Sequence, residues 1–139
     1  MRVPSALWWP KPEAGDIVWC HFPYLPATVP GPKPRPALLV RLIEHNAYYR
    51  ALVGYGTSQK TNTLRSGEFL IRKDNSAAFK ISGLSFDTKF SFKHMLELDY
   101  SDQWFKIPPE SPHGQTPTIG TLHAVYAQAA HAAYLASQS

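Results

Sequence analysis

Cysteine is nearly absent from this 139-residue chain. Cys20 stands alone, which excludes an internal disulfide and any site built from several thiolates. Long apolar runs are missing as well. None approaches the roughly 18 residues of a membrane span, and Met1 to Pro12 has no continuous apolar core of the signal-peptide kind. These absences give a cytoplasmic soluble protein with no membrane partner as the expectation. The chain also lacks HExxH, CxxC, GxSxG and a phosphate-cradling glycine loop, since the GYG at Gly54 to Gly56 lacks the following lysine. His123 and His131, the two histidines of the Ala-rich C-terminal stretch, stand eight residues apart, not the four of a chelating pair. His45, His94 and His113 fall in no ligand pattern either. No metal and no cofactor are expected.

Charge is scarce, at 17% of residues, but it is unbalanced. Fourteen Lys and Arg against ten Asp and Glu leave a net charge of +4, which favours an acidic partner such as nucleic acid or an acidic protein segment. Hydrophobic residues make up 44%, enough for a folded core in one domain. Proline is plentiful, at thirteen. Three prolines exclude a helix from residues 1–14, an N-terminal arm anchored by Trp8 and Trp9. Either tryptophan can fold back on the core or serve a partner.

The remainder alternates between strand patterns and turns. Asp16 to Phe22 carries apolar residues on both faces and predicts an inner strand. Pro23 to Pro36 holds six prolines (23, 26, 30, 32, 34 and 36) and predicts a stiff loop. Ala37 to Ile43 and Tyr48 to Tyr55, joined by Glu44-His45-Asn46, predict an antiparallel hairpin. Glu68 to Arg72, Gly83 to Phe92 and His94 to Leu98 read as further strands, and Ser76 to Ile81 is ambiguous, with a helical turn as one reading. Ser101 to Pro117 reads as a loop anchored by Trp104 and Phe105. Thr118 to Ser137 reads as one helix capped by Thr121, with Leu122, Val125, Tyr126, Ala129, Ala133 and Leu135 as its apolar stripe.

One constellation stands out. Arg35 precedes the first hairpin strand, and Thr57, Ser58, Gln59 and Lys60 follow the second. In an antiparallel pair these two ends are neighbours. A planar guanidinium beside hydroxyls and an amide suits a phosphate, and Lys33 and Lys60 add charge. The bland alternative is an ordinary solvated sheet edge.

These pieces resemble, in order, the MazF/PemK/Kid group of toxins from toxin–antitoxin modules. Gly15-Asp16-Ile17-Val18-Trp19 is similar to that group's opening strand, and Phe22-Pro23 to its end. Arg35-Pro36-Ala37-Leu38-Leu39-Val40 is similar to its RPALVV signature. Thr57-Ser58 matches the hydroxyl pair closing the next long strand. The resemblance covers Ala14 to Leu98, with looser support from the C-terminal helix. It implies a mainly β fold: a small SH3-like β-barrel over residues 15–98, a C-terminal helix over 118–137, and a homodimer. It also implies a metal-independent endoribonuclease acting on single-stranded RNA, restrained by a cognate antitoxin.

Arg35 and Thr57 take the catalytic positions in that resemblance. Several relatives carry an acid in the loop before the arginine, whereas Pro23 to Pro34 here has none. Asp87 and His21 are therefore the candidate bases, each with a plain structural alternative. Lys89 replaces a cation of some relatives. Lys33, Ser58, Gln59, Lys60, Lys89 and Tyr55 are the candidate RNA contacts, since single strands bind basic grooves with aromatic platforms; Tyr24 and Phe86 stand nearby. A barrel of the same kind acting only as a binding module is the alternative function, as gyrase-poisoning relatives target a protein. An unrelated small β protein is the third reading.

Overall fold

The computed structural model describes residues 9–24, 27–46, 48–109 and 114–139. Trp8 and His113 lie outside them. The elements are β1 (Asp16–Cys20), β2 (Arg35–His45), β3 (Tyr48–Thr57), β4 (Glu68–Ile71), α1 (Ser76–Ser82), β5 (Thr88–Asp99), β6 (Thr118–Thr121) and α2 (Ala127–Ser137). All strand pairs are antiparallel, in the order β4-β5-β3-β2-β1-β6. β1 lies between β2 and β6, an inner position that explains its apolar residues on both faces.

The two faces carry separate cores. Val18, Cys20, Leu39, Val53, Tyr100 and Phe105 are buried on one. Trp9 packs there, its ring 5.2 Å from that of Tyr100 and edge-on to it. Ile17, Leu38, Phe69, Ile71, Phe90 and Phe92 are buried on the other, under α2. The expected barrel is not closed: β4 and β6 end the ladder and do not pair with each other. The gap is spanned by α1, which follows β4 in the chain and abuts β6. Gly83 ends α1 in the left-handed region, at φ 71°, and a Cβ there would lie 1.9 Å from the Ile119 carbonyl oxygen. Only glycine allows both the turn and that approach.

Three readings of the sequence are corrected. Residues 118–121 form strand β6, and the helix begins only at Ala127, after a 3-10 turn at Ala124–Tyr126. Thr121 therefore caps nothing; the His123 ring accepts from the Val125 amide and starts the turn instead. The buried face of α2 is Ala130 and Ala133, while Val125 and Leu135 are exposed. Its small residues bring the backbone close to β4 and β5. Gly83 to Asp87 is not strand, and β5 runs unbroken from Thr88 to Asp99.

β5 carries a wide bulge. Gly54 of β3 faces Met95, whereas its neighbour Tyr55 faces Ser91. Phe92, Lys93 and His94 are left without partners on β3, and the Ser91 hydroxyl accepts from the amides of Lys93 and His94 at 3.2 and 3.3 Å. A short side chain thus replaces the lost ladder bonds, and Lys93 and His94 are turned out to solvent. No described helix is long and apolar enough to cross a membrane.

Candidate functional site

β2 and β3 meet β5 where Gly56 leaves room. A Cβ on Gly56 would lie 2.4 Å from the Pro36 carbonyl oxygen and 2.6 Å from Phe90 Cε1. That close approach sets Arg35 and Thr57 on the wall of one cleft of about 660 Å³. Trp19, Leu84 and Ile119 supply apolar lining, and Thr57, Ser58, Ser85 and Thr88 supply hydroxyls. Phe86, 68% exposed, stands at the rim.

Among the described residues, Arg35 is held by Tyr24. Its Nη2 donates to the Tyr24 hydroxyl at 3.4 Å, and its guanidinium carbon lies 5.9 Å from the Tyr24 ring centre. The bond to Tyr24 raises its pKa against the opposing effect of burial. Its Nε is buried without a hydrogen-bond partner. No carboxylate pairs with Arg35 among the described residues. An unsatisfied buried donor on a permanent cation is costly unless an acceptor arrives, and an anion's oxygens meet that need.

Three consecutive side chains then divide the surface. Thr57 lines both the Arg35 cleft and a groove of about 470 Å³ toward β4 and β5. Ser58 lines the Arg35 cleft and a third, shallow concavity. Gln59 lines that concavity and the groove. The turn is stiffened by the Gln59 amide, which donates to Thr57 Oγ1 at 3.1 Å and leaves the hydroxyl proton for another acceptor. Lys60 follows with φ 53°, the one non-glycine in the left-handed region among the described residues.

The other candidates are placed differently. His21 does not line the cleft. Its Nδ1 contacts the Gly31 carbonyl oxygen at 2.9 Å, and the Gly31 amide returns a bond to the His21 carbonyl at 3.1 Å. That carbonyl can only accept, so Nδ1 carries the proton and His21 latches the proline-rich loop. Asp87 lies in the third concavity, where its carboxylate accepts from the Lys73 amide at 2.6 Å. Lys89 is buried and bonded to Glu68 at 3.2 Å and to the Thr63 carbonyl at 3.0 Å. Lys33 is exposed and lines none of the three hollows. Tyr55 lines the groove, its ring 5.1 Å from that of Phe22.

The sequence reading missed Trp19, Arg65, Lys93 and His94, all of which line the cleft or the groove. Trp19 could have been found from its place one residue before the end of β1, level with Pro36. Arg65 lies in a turn and Lys93 and His94 in the bulge, for which the local sequence carries no signal. Compared with family models and with curated proteins, the chain matches none.

Proposed function

We propose that the cleft at Arg35 and Thr57 binds a phosphodiester of single-stranded RNA, and that the protein is a metal-independent endoribonuclease of the MazF/PemK toxin type. The observation that carries this is the shared wall of Arg35 and Thr57, with the Arg35 Nε buried and unpartnered. The motif resemblance supports it, and with it an SH3-like relationship of the sheet, a homodimer and an antitoxin partner.

In this reading the ribose 2′-oxygen attacks the adjacent phosphorus while the bond to the 5′-oxygen breaks. The products are a 2′,3′-cyclic phosphate and a 5′-hydroxyl. One proton leaves the 2′-hydroxyl and another reaches the departing oxygen. Arg35 holds the non-bridging oxygens as their charge grows, and the Thr57 hydroxyl donates to one of them. Trp19 and Phe86 offer ring faces to the flanking bases.

A second reading is favoured by one feature. No Asp, Glu or His lines the cleft among the described residues. Without a base the same cleft would bind a strand and leave it intact. Incubation of the full chain with RNA in excess EDTA separates the two. Discrete cleavage leaving cyclic phosphate ends, slowed about 10²–10³-fold by Arg35→Ala as for loss of an oxyanion donor, supports the nuclease. Intact RNA retained by the wild type but not by Arg35→Ala supports the binding module. Cleavage that survives Arg35→Ala refutes the site.

A further inference from the structure

Among the described residues, one cation, Arg35, lines this cleft, too few to fix a flexible strand. Two hollows adjoin it across the Thr57-Ser58-Gln59 ridge, and they differ in charge. The one behind Ser58 is lined by Asp74, Asp87 and Lys73, with Phe86 at its edge. Among the described residues, the one behind Thr57 is lined by Lys60, Arg65, Lys89 and Lys93 against one acid, Glu68.

That acid is already consumed. Glu68 Oε1 accepts from the Arg65 amide at 2.7 Å and from the Lys89 ammonium at 3.2 Å. Lys60, Arg65 and Lys93 are exposed and have no carboxylate partner among the described residues. Three like charges therefore surround one groove of about 470 Å³, a repulsive arrangement that a polyanion relieves. Two backbone irregularities put them there: the left-handed Lys60 and the bulge at Lys93. A left-handed non-glycine and a bulge are both features that gather at functional sites. Tyr55 and the His94 ring, 6.3 Å apart between centres, add faces on which a base can stack.

We propose that this groove is a second anionic subsite, which takes the backbone phosphates of the same single strand beyond the one at Arg35. The inference rests on reading the Arg35 cleft as a phosphodiester site. It also sets the path of the strand: past Thr57 into the Lys60–Arg65–Lys93 groove, and away from the Asp74 and Asp87 side.

The test uses the full-length chain, fluorescein-labelled oligodeoxynucleotides of two and eight residues, which lack the 2′-hydroxyl and cannot be cut by its attack, and a polyglutamate probe. For the wild type, lengthening the strand tightens binding at least tenfold in 50 mM salt. The variant Lys60→Ala/Arg65→Ala/Lys93→Ala loses most of that gain. Its slope of log Kd against log salt falls by about 2, three contacts at roughly 0.7 each. A milder double variant, Arg65→Gln/Lys93→Gln, gives a fall of about 1.4 by the same constant and guards against misfolding. Equal slopes in wild type and both variants overturn the subsite while the Arg35 reading stands. Failure of the wild type to bind either strand removes both. Capture of polyglutamate but not of the eight-residue strand by the groove overturns the proposal in favour of an acidic protein partner.

Discussion

Lys89 and Arg35 are both cations near the cleft, and their surroundings give them opposite uses. Lys89 is 7% exposed, and its ammonium is bonded to Glu68 and to a carbonyl. Its charge is internal to the fold. Arg35 keeps a donor unpaired. The difference predicts different responses to substitution. Glu68→Ala strands a buried ammonium and is expected to destabilise the protein by roughly 3 kcal/mol, the range for a broken buried pair. Urea denaturation checks this, and a loss below 1 kcal/mol would mean that water reaches Lys89. The sequence could not separate these residues. Arg35 reads as standing just before a strand and Lys89 as lying within one, and both count as available cations; only the approach of Glu68 from the neighbouring strand decides which charge is spent.

At the scale of elements, α1 packs against β6 at Gly83. Gly83 and Gly114 both have positive φ, at 71° and 81°. A Cβ on Gly114 would meet nothing within 4 Å, whereas one on Gly83 would strike the Ile119 carbonyl. Gly114→Ala should thus cost only the left-handed penalty, about 1–2 kcal/mol. Gly83→Ala adds the clash, worth about 1–3 kcal/mol more. Thermal denaturation of the two variants measures the gap; equal losses would show that α1 and β6 slide apart at no cost. The hairpin strands are legible from local pattern. Ala37 to Ile43 and Tyr48 to Tyr55 read as a hairpin because β-branched and aromatic runs flank a polar turn, and they sit inside β2 and β3. Thr118 to Thr121 was misread as helix because four residues hold no period. Their strand state comes from pairing with β1.

For the whole molecule, the core built on Val18, Leu39 and Phe105 holds ionisable groups in neutral form. Burial pushes the Tyr100 phenol up to about 12 from an ordinary value of 10.0 and pushes the Cys20 thiol up as well. The unfolded chain releases the Tyr100 proton near pH 10, and the folded chain holds it to about pH 12. The folded state then binds more protons, so stability falls as pH rises across that interval. The slope is about 1.4 kcal/mol per pH unit. Tyr100→Phe should remove this component: between pH 9 and 11 its urea midpoint should fall less than that of the wild type. Parallel curves would show that Tyr100 ionises freely in the folded protein.

The amino-acid sequence by itself determined the strand-rich character, the hairpin and the stiff proline loop. These follow from local side-chain pattern and from proline's fixed φ. It also determined that Arg35 and Thr57 stand at adjacent strand ends, because antiparallel pairing is a rule of chain geometry. The tertiary structure alone decided which charges remain unpaired, since Glu68 reaches Lys89 across strands β4 and β5. It alone placed His21 on Gly31 and Asp87 behind Phe86. It turned Lys93 outward through a bulge held by one serine hydroxyl. The Glu68–Lys89 and His21–Gly31 contacts join residues well apart in the chain, and the bulge is a shift of register between β3 and β5; none of these leaves a period in a linear sequence.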